Sequence, residues 1–460
     1  MAPTPPLSNP APQGAPEGVP APPPPFERVL TTAVGRPNSW EIESYLERGG
    51  YVGARKALSM TPEEIIKVVT DSKLRGRGGA GFPAGIKWSG TRGNPAPRYL
   101  VVNADESEPG TYSNRYAMDT DPHMLLDGMI VCSFAVDVHT AYIYIRGENL
   151  HGYEVLEGAV HQAREKGFLG RGIFGTDYDL EIVVHRGAGA YVCGEETALM
   201  ESLEGKRAQP RTRPPHPFQV GGGLFGRPTV VNNVETLMCV PHIIDRGPEW
   251  FASIGSPNCP GPKVYCVSGN VNRPGIYEAP MGLLLSELIL GQEYGQGVPN
   301  GRKVKAVSPG ALASPILSGA ELEVKLDVDA LRAPPYRTQL GAGGIIVYDD
   351  SVCMVELLLR TEQFFAHESC GKCVPCREGT HWMVDVLRRI AVGRGREQDL
   401  DLLNGVAGNM SGLPFHQRTL CALADFAAGP MQSALARFRE DFEYHIRERA
   451  CPQQRQLAHA

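Results

Sequence analysis

Apolar and polar positions alternate along the chain in a way that separates three regions. From about Tyr99 to Leu203, short apolar runs alternate with stretches of helical periodicity. The elements predicted there are strands Tyr99–Ala104, Ala141–Arg146 and Leu180–His185, and helices that begin at Pro122, Gly152 and Glu195. Strands that alternate with crossover helices predict a mostly parallel sheet, with a ligand site beyond the carboxyl ends of the strands.

Two further regions follow the parallel-sheet region. Between about Lys263 and Asp349, short strands surround a single helix, which is typical of a small α+β module. Its predicted elements are strands Val264–Ser268, Gly275–Glu278, Val304–Val307 and Ile345–Tyr348, and a helix near Leu283–Leu290. After Ser351 the periodicity becomes helical, which predicts a bundle that contains helices at Trp382–Ile390, Leu400–Ala407 and Met431–Ile446.

The beginning of the chain has a different composition. Eleven prolines fall among the first 25 residues, with few large apolar side chains, so residues 1–27 are predicted to be a disordered tail. This segment has no basic residue before Arg28 and no apolar block, so neither a secretory signal nor a transit peptide is predicted. A cytoplasmic location is therefore expected.

Length and charge narrow the class of protein. A chain of 460 residues should form two to four domains, since one domain usually holds roughly 100–200 residues. The net charge of −6, from 45 basic and 51 acidic residues, suggests neither nucleic acid nor an anionic membrane as a partner. The longest apolar stretch, Met124 to Val136, is interrupted by Asp127 and is shorter than the about 20 residues that a membrane span needs. Any membrane association is expected to come through partner subunits.

The cysteines divide into scattered and clustered ones. Eleven is an odd number, which argues for reduced thiols and a metal or redox site rather than a disulfide framework. Seven are scattered singly and are interpreted as small buried apolar residues: Cys132, Cys193, Cys239, Cys259, Cys266, Cys353 and Cys451.

Three cysteines lie two residues apart in Cys370-Gly-Lys-Cys373-Val-Pro-Cys376. Such spacing lets three thiolates wrap one face of a compact cluster, and a fourth ligand must come from elsewhere, because Thr380 occupies the position at which ferredoxins place theirs. Cys421 is the downstream cysteine in an ordered-looking segment. The alternative is a structural zinc site, which usually takes its four cysteines as two separated pairs. The triple spacing favours iron–sulfur.

Glycines and polar residues form three further motifs. The loop Arg75-Gly-Arg-Gly-Gly-Ala-Gly-Phe-Pro-Ala-Gly-Ile-Lys87 exposes backbone N–H groups beside two cations, as an anion cradle does, although alone it could be a flexible loop. Acidic loops follow two predicted strands, at Asn103–Gly110 and at Tyr191–Glu196, and should converge on one crevice or act only as helix caps. The consecutive pair Asn232 and Asn233 exceeds what ordinary capping requires.

Taken together, these motifs resemble the NADH-binding flavoprotein subunit of respiratory complex I, a family found also in NAD-linked hydrogenases and formate dehydrogenases. The resemblance runs from about Leu74 to Asp425 and rests on R-G-R-G-G-A-G-F-P, N-A-D-E-S-E-P-G, Y-V-C-G-E-E, V-N-N-V-E-T and C-G-K-C-V-P-C. It implies an α/β and α+β multidomain fold. The implied domains are a Rossmann-like FMN and NADH domain (28–255), a ubiquitin-like β-grasp domain (256–349) and a helical bundle that binds a [4Fe-4S] cluster (350–455).

The resemblance also implies a role for each motif residue. The implied cofactor-binding residues are Gly76, Arg77, Gly78, Gly79, Phe82, Lys87, Asn103, Asp105, Glu108, Tyr191, Gly194, Glu195, Glu196, Arg213, His216, Asn232 and Asn233. Among them, Glu108, Glu195 and Glu196 would meet the ribose and nicotinamide of NADH, and Arg213 stands where the family has a lysine. Cys370, Cys373, Cys376 and Cys421 would hold the cluster. No catalytic acid or nucleophile is required, since the flavin accepts the hydride.

The implied partners are other subunits of the peripheral arm of complex I, on the cytoplasmic side of the inner membrane: a small [2Fe-2S] subunit and a large multi-cluster subunit. The runner-up is the diaphorase subunit of a soluble hydrogenase or formate dehydrogenase, many of which carry extra cluster domains. A zinc-stabilised scaffold is the alternative from another class.

Two positions depart from the family pattern, and both concern NADH. His216 stands where a phenylalanine usually follows the proline pair, and Gly90 stands where a bulky apolar residue is common. Both changes would thin the aromatic contact with adenine, unless the imidazole stacks equally well.

Overall fold

The computed structural model describes residues 27–412 and 416–453. The predicted proline-rich tail, apart from Glu27, lies outside the described residues. Within the described part of the chain, no helix is both long enough and apolar enough to cross a membrane.

The first layer is a four-stranded parallel sheet with strand order β3-β2-β1-β4. Its strands are β1 (Arg98–Ala104), β2 (Val138–Ile145), β3 (Glu181–Arg186) and β4 (Thr229–Asn233). The alternation of strands and helices predicted from the sequence is confirmed, with boundaries that differ by a few residues. The fourth strand was not predicted, because it is short and ends in polar residues.

Helices cover both faces of this sheet. They are α1 (Ile42–Glu47), α2 (Val52–Ala57), α3 (Pro62–Asp71), α4 (Ala84–Arg92), α5 (Ser113–Thr120), α6 (Pro122–Val136), α7 (Leu150–Glu165), α8 (Glu196–Leu203), α9 (Val234–Arg246) and α10 (Pro248–Ala252). Helix α6 is buried nearly throughout because α2 and α9 pack on it. Its Asp127 accepts hydrogen bonds from the Tyr45 hydroxyl at 2.9 Å and from the Ala54 N–H at 2.8 Å, which fixes the N-terminal helices.

The second unit is a mixed sheet with strand order β10-β9-β11-β7-β8, in which β11 and β7 are parallel. Its elements are β5 (Gly255–Ser256), β6 (Cys259–Pro260), β7 (Pro262–Gly269), β8 (Gly275–Pro280), α11 (Leu285–Leu290), β9 (Val304–Ser308), β10 (Leu317–Ser318), α12 (Val328–Arg332) and β11 (Gly344–Asp349). The strands Cys259–Pro260 and Gly255–Ser256 form a separate hairpin ahead of the sheet. A small sheet with one principal helix is the α+β arrangement that the sequence predicted for this region.

The second unit is joined to the first by a buried ion pair. Lys263, in β7, donates to the Glu235 carboxylate at 2.5 Å, and the side chains are 1% and 4% exposed. Glu235 also accepts from the Val264 N–H at 3.1 Å. Since Glu235 lies in the first turn of α9, the pair fixes the end of β4 against the second unit.

The third unit is a helical bundle, and its last part is more divided than expected. Its helices are α13 (Met354–Glu368), α14 (Val374–Ala391), α15 (Gln398–Met410), α16 (Leu423–Arg437) and α17 (Arg439–Glu448), with the short strands β12 (Ser411–Gly412) and β13 (His416–Gln417). The prediction of one continuous helix at Met431–Ile446 is wrong, because the backbone leaves the helical conformation at Phe438 (φ −131°, ψ 30°). The fold class predicted from the sequence is confirmed.

Candidate flavin and iron–sulfur sites

The ligand crevice lies at the carboxyl ends of β1 and β4. The chain adds β2 and β3 on one side of β1 and then β4 on the other, so strand order reverses between β1 and β4. Parallel sheets bind ligands at such a switch point. Asn103 and Asn233 pair in register at these two strand ends, so the motifs that contain them meet in one place.

The glycine loop between Leu74 and Pro83 lies against this crevice. The Gly76 N–H donates to the Phe82 carbonyl at 2.9 Å, which closes the loop. A Cβ on Gly78 would lie 3.0 Å from the Cβ of Asn233, so the backbone passes directly over the end of β4. Gly79 has φ +122°, a conformation that side chains with a Cβ rarely adopt. A flat or anionic ligand could therefore approach the backbone closely.

The Arg77 guanidinium does not lie in the anion cradle, where the sequence placed it. Its guanidinium is buried and donates to the Pro260 carbonyl at 2.6 Å, and its backbone N–H donates to the Thr236 hydroxyl at 2.8 Å. The side chain therefore anchors the loop to the Cys259–Pro260 strand and does not point at a ligand. Of the two cations expected in the cradle, Lys87 alone has its charge in the crevice.

Lys87 lies in α4, one turn beyond the glycine loop. Its Nζ donates to the Val231 carbonyl at 3.0 Å and lies 3.5 Å from a carboxylate oxygen of Glu196. The same Nζ is 6.0 Å from the ring centroid of Phe82, whose side chain is half exposed. The crevice thus combines one partly exposed cation with an aromatic face that is available for stacking.

The three asparagines have different local roles. Asn103 donates to the Gly194 carbonyl at 2.8 Å, which ties the end of β1 to the loop before α8. Asn233 caps α9 through the Glu235 N–H at 3.0 Å, and its amide nitrogen donates to Asn114 at 2.5 Å. Asn232 is buried, and its amide nitrogen lies 3.8 Å from the Cys132 sulfur. Capping therefore accounts for Asn233 but not for Asn232.

Two neighbouring carboxylates at the start of α8 share one arginine. Glu195 caps the helix by accepting from the Ala198 N–H at 2.8 Å, and it pairs with Arg213 at 2.6 Å. Glu196 pairs with the same guanidinium at 3.0 Å. The loop with Arg213 is thereby held over the helix N-terminus, beside Lys87.

The acidic loop after β1 carries two buried carboxyl groups whose pKa values are raised. Burial raises the pKa of Asp105 to about 7, against the hydrogen bond from Ser107. Burial also raises the pKa of Glu108 to about 7, although Glu108 accepts from the Tyr191 hydroxyl at 2.5 Å and from the Ala313 N–H at 2.8 Å. Both groups can change charge near neutral pH.

These residues fit a flavin mononucleotide. The cradle beside Gly78 has no room for a side chain, and Lys87 supplies positive charge for a phosphate. Asn103 and Asn233 meet at the switch point, and Phe82 presents a half-exposed ring. The donor set matches a ligand that has an anionic end, hydroxyl groups and a planar ring.

The cysteine motif joins two helices of the bundle. Cys370 and Cys373 lie in the loop between α13 and α14, Cys376 is in the first turn of α14, and Cys421 precedes α16. The Leu420 N–H donates to the Cys373 sulfur at 3.4 Å, which brings the segment with Cys421 to the motif. Burial, together with the nearby charges of Glu195, Cys370 and Cys376, raises the pKa of Cys421 to about 12. The four predicted ligands therefore converge.

Their spacing fits a cluster better than a single ion. Four thiolates on one zinc ion at about 2.3 Å place their sulfurs about 3.8 Å apart. Among the described residues, no three of these four cysteines have sulfurs within 4.8 Å of one another. The Ser369 hydroxyl lies 3.3 Å from the Cys376 sulfur, as a hydrogen-bond partner of a cluster ligand would.

Tyr191 connects the two sites. Its hydroxyl donates to Glu108, and its ring packs edge-on against Phe364 in α13, with 5.2 Å between centroids. Its backbone N–H donates to Glu368 at 3.2 Å, two residues before the cysteine motif. The nearby charge of Cys421 contributes to raising the pKa of Tyr191, after burial and Glu108. Tyr191 thus contacts both the carboxylate of the acidic loop and the helix that leads to the cysteine motif.

A second connection runs along the segment after α8. Gln209 donates to the Cys370 carbonyl at 3.2 Å, and Lys372 donates to the Pro210 carbonyl at 2.7 Å. These residues and Glu368, Asn114 and Ser369 were not singled out from the sequence, so their roles could not be inferred without the fold. For Glu368 and Ser369 the sequence does contain one signal, namely their position directly before the cysteine motif.

The two unusual positions are close in space. His216 stacks on Phe218, with parallel rings and 5.5 Å between centroids. A Cβ on Gly90 would lie 3.4 Å from the Phe218 ring, so Phe218 occupies the space that a larger residue at position 90 would need. Both departures therefore lie next to one aromatic side chain, Phe218.

Comparisons with known proteins agree with this geometry. Residues 69–242 match the family model of the Nuo51 FMN-binding domain, residues 264–291 match the SLBB domain, and residues 356–445 match the NADH-ubiquinone oxidoreductase-F iron-sulfur binding region. The NADH-quinone oxidoreductase F subunit 2 of Rhizobium meliloti is 51% identical over 433 residues, which cover 93% of this chain and 99% of that protein. The NADH-quinone oxidoreductase F subunit of Aquifex aeolicus is 46% identical over 422 residues, which cover 92% and 95% of the two chains.

Among solved structures, the crystal structure of the NAD+-reducing [NiFe]-hydrogenase in the H2-reduced state superposes with a TM-score of 0.77 at 34% identity. The match covers 91% of this chain and 69% of the hydrogenase chain.

Proposed function

Because the chain belongs to the family of NADH-quinone oxidoreductase F subunits, we propose a role for each part of its crevice and its cysteine motif in NADH oxidation. The chain is an NADH dehydrogenase subunit that uses FMN and a [4Fe-4S] cluster. Bound FMN accepts a hydride from NADH and releases electrons singly, and the cluster accepts one electron at a time. The protein binds these groups, orients them and separates them from bulk water.

We propose that the glycine loop and the asparagine pair hold FMN. The loop backbone at Gly76, Gly78 and Gly79 would donate to the flavin nucleotide, and Lys87 would meet its phosphate. Asn103, Asp105, Asn232 and Asn233, with the backbone at Tyr191 and Gly194, would contact the ribityl chain and the ring. Arg77 would act from behind by fixing the loop, since its guanidinium is bonded to the Pro260 carbonyl.

NADH would bind on the open side of the flavin. Glu195 and Glu196 would accept hydrogen bonds from its ribose hydroxyls, and Phe82 and His216 would stack on its rings. Arg213 would keep both carboxylates in position, since it pairs with each of them. Glu108 would meet the nicotinamide amide, as the family resemblance implies, and the Tyr191 hydroxyl and the Ala313 N–H would hold its carboxyl in position.

The cluster would be held by Cys370, Cys373, Cys376 and Cys421. Tyr191 is the observation that carries the proposal, because it contacts both the carboxylate expected at the nicotinamide and the helix that leads to the thiolates. Electron tunnelling requires such proximity.

Onward transfer requires partner subunits. We propose a small [2Fe-2S] subunit and a large multi-cluster subunit of a peripheral arm on the cytoplasmic side of the inner membrane. Helix α14 starts inside the cysteine motif and exposes Val374 and Trp382, at 58% and 57%. Exposed apolar residues beside an electron exit favour a protein contact there.

Optical spectroscopy of the purified chain with its cofactors tests the proposal. We expect flavin bands with a broad iron–sulfur shoulder, and both should bleach when NADH is added under argon. Lys87→Met should lose flavin while it keeps iron. Lys67→Met, which changes an exposed lysine on α3, is the matched control. A chain that bleaches at the flavin while its iron never becomes reduced would contradict the proposed connection.

The hydrogenase structure supports a second candidate, the diaphorase subunit of a soluble hydrogenase. That likeness is at 34% identity and covers 69% of the hydrogenase chain, whereas the quinone oxidoreductase relatives reach 51% and 99%. The comparison favours the quinone-linked enzyme.

A further inference from the structure

Three potential metal ligands outside the iron–sulfur motif meet at the carboxyl end of the chain. Cys353, His445 and Cys451 are far apart in sequence, but their ligand atoms all lie within 4.8 Å of one another. Their residues are 8%, 0% and 5% exposed. We refer to them as the C-terminal triad. The sequence had suggested only that Cys353 and Cys451 are small buried apolar residues.

The fold brings these residues together through two helix ends. Cys353 directly precedes α13, and His445 lies in the last turn of α17. Arg449 then adopts a left-handed conformation (φ 51°), which ends α17 and turns Cys451 back toward α13. The Asp441 carboxylate, one turn before His445, accepts from the Met354 N–H at 3.2 Å and holds the two helix ends in place.

The two ring nitrogens of the buried His445 have different surroundings. One nitrogen, Nε2, lies 3.2 Å from the Cys353 sulfur. The other, Nδ1, is buried and has no hydrogen-bond partner within the part of the chain that the structure describes. Nε2 is therefore the nitrogen that could bind a metal ion beside this sulfur, and such an ion would leave Nδ1 unchanged.

We propose that the C-terminal triad binds one zinc ion. Two cysteine sulfurs and one imidazole nitrogen are ligands that Zn²⁺ prefers, and tetrahedral coordination places such atoms about 3.5–3.8 Å apart. The Cys353 sulfur and His445 Nε2 are 3.2 Å apart, and no two ligand atoms of the triad are more than 4.8 Å apart, so the three atoms are close enough to share one ion. Two thiolates balance the charge of the ion, which a buried site requires. The fourth position is left to a solvent molecule.

Zinc in this position would fasten the end of the chain to the helix that leads to the iron–sulfur motif. Helix α13 runs from Met354, next to Cys353, to Glu368, directly before Ser369 and Cys370. The ion would therefore stabilise the bundle without taking part in electron transfer. This role does not depend on the proposed cofactor contacts.

The test uses the full chain with its flavin and a complete iron–sulfur cluster, so that the four motif cysteines are occupied. Cells are grown with added zinc, and metals are measured by mass spectrometry. We expect one zinc per chain, and zinc absorption-edge fine structure should report two sulfurs, one imidazole nitrogen and one further light atom. Four sulfurs around zinc would overturn the proposal, because they would indicate zinc in the iron–sulfur motif. The absence of zinc would overturn it too.

Variants locate the ion. Cys451→Ser and His445→Gln should each lower zinc affinity about tenfold or more while iron content stays unchanged. Cys239→Ser is the matched control, because it removes a buried cysteine in α9 that belongs to no group of potential metal ligands among the described residues. Zinc retained in both triad variants would refute the assignment.

A measurement on the unmodified chain covers the case in which a variant does not fold. A zinc-selective chelator should lower Tm, and added zinc should restore it, with iron unchanged throughout. A Tm that does not respond would contradict the proposal. A mass deficit of two hydrogens on a peptide that links Cys353 to Cys451 would also overturn it, since it would identify a disulfide.

Discussion

Replacing Lys263 by methionine should weaken the attachment between the parallel-sheet unit and the second unit. Lys263 and Glu235 form a buried ion pair across that boundary, with side chains only 1% and 4% exposed. Methionine keeps roughly the length of the lysine side chain but removes its charge. Next to the ion pair, the Glu235 carboxylate then keeps the hydrogen bond from the Val264 N–H. The variant therefore buries an uncompensated charge.

The expected loss is large because both groups are out of water. Removing one partner of a buried ion pair typically costs about 3–5 kcal/mol of unfolding free energy. A loss of this size corresponds to a fall in Tm of roughly 3–5 °C, since the unfolding entropy of a chain of 460 residues is about 1 kcal/mol/K. The double variant Lys263→Met/Glu235→Leu removes both charges and should recover most of the loss, since an apolar pair of similar volume is often neutral or stabilising.

Thermal unfolding of the flavin-loaded chain measures all three proteins. Lys67→Met is the control, because that lysine is 74% exposed and pairs only with Asp71 on the same helix. Its Tm should not change beyond experimental scatter. If Lys263→Met melts like the unmodified chain, or if the double variant is no better than the single one, the pair does not hold the two units together as described.

Three further outcomes are expected. Cys421→Ser should lose iron while the flavin stays bound and still bleaches with NADH, and full iron content would remove Cys421 from the ligand set. Burial raises the pKa of Glu108 to about 7, so the folded chain holds an extra proton above the ordinary pKa of 4.5, and the stability from that proton is lost as pH rises toward 7. The Tm of Glu108→Gln relative to the unmodified chain should therefore rise between pH 5 and 8, and a constant difference would contradict the shift. His216→Phe should lower the KM for NADH by up to about fivefold, equivalent to about 1 kcal/mol of aromatic contact, and an unchanged or higher KM would reject the idea.

The sequence predicted those elements whose apolar pattern is strong. Helix Pro122–Val136 is buried through nearly its whole length and begins at a proline, and strand Arg98–Ala104 has a buried apolar centre, so the apolar pattern and the proline position identify them. Thr229–Asn233 was missed as a strand because its five residues end in two asparagines, and the pattern resembles a helix cap as much as a strand end. The break at Phe438 carries no glycine or proline, so tertiary packing alone produces it.

The candidate sites likewise contain residues that the sequence identified and residues that only the fold reveals. Short-range spacing pointed to Cys370, Cys373 and Cys376, and the ordered-looking segment around Cys421 pointed to the fourth ligand. The fold brings that segment to the motif. Arg77 was misjudged because a sequence cannot tell whether a cation in a glycine loop points at a ligand or at a neighbouring carbonyl. The C-terminal triad was invisible because residues 353 and 451 become neighbours only when α17 turns back on α13.

The cysteine motif lies near the surface of the bundle. Cys370, Cys373 and Cys421 are only partly covered in the folded chain, whereas Cys376 is buried. A cluster held by these four thiolates would therefore have one side close to the protein surface, where an electron acceptor on another protein could come within tunnelling distance.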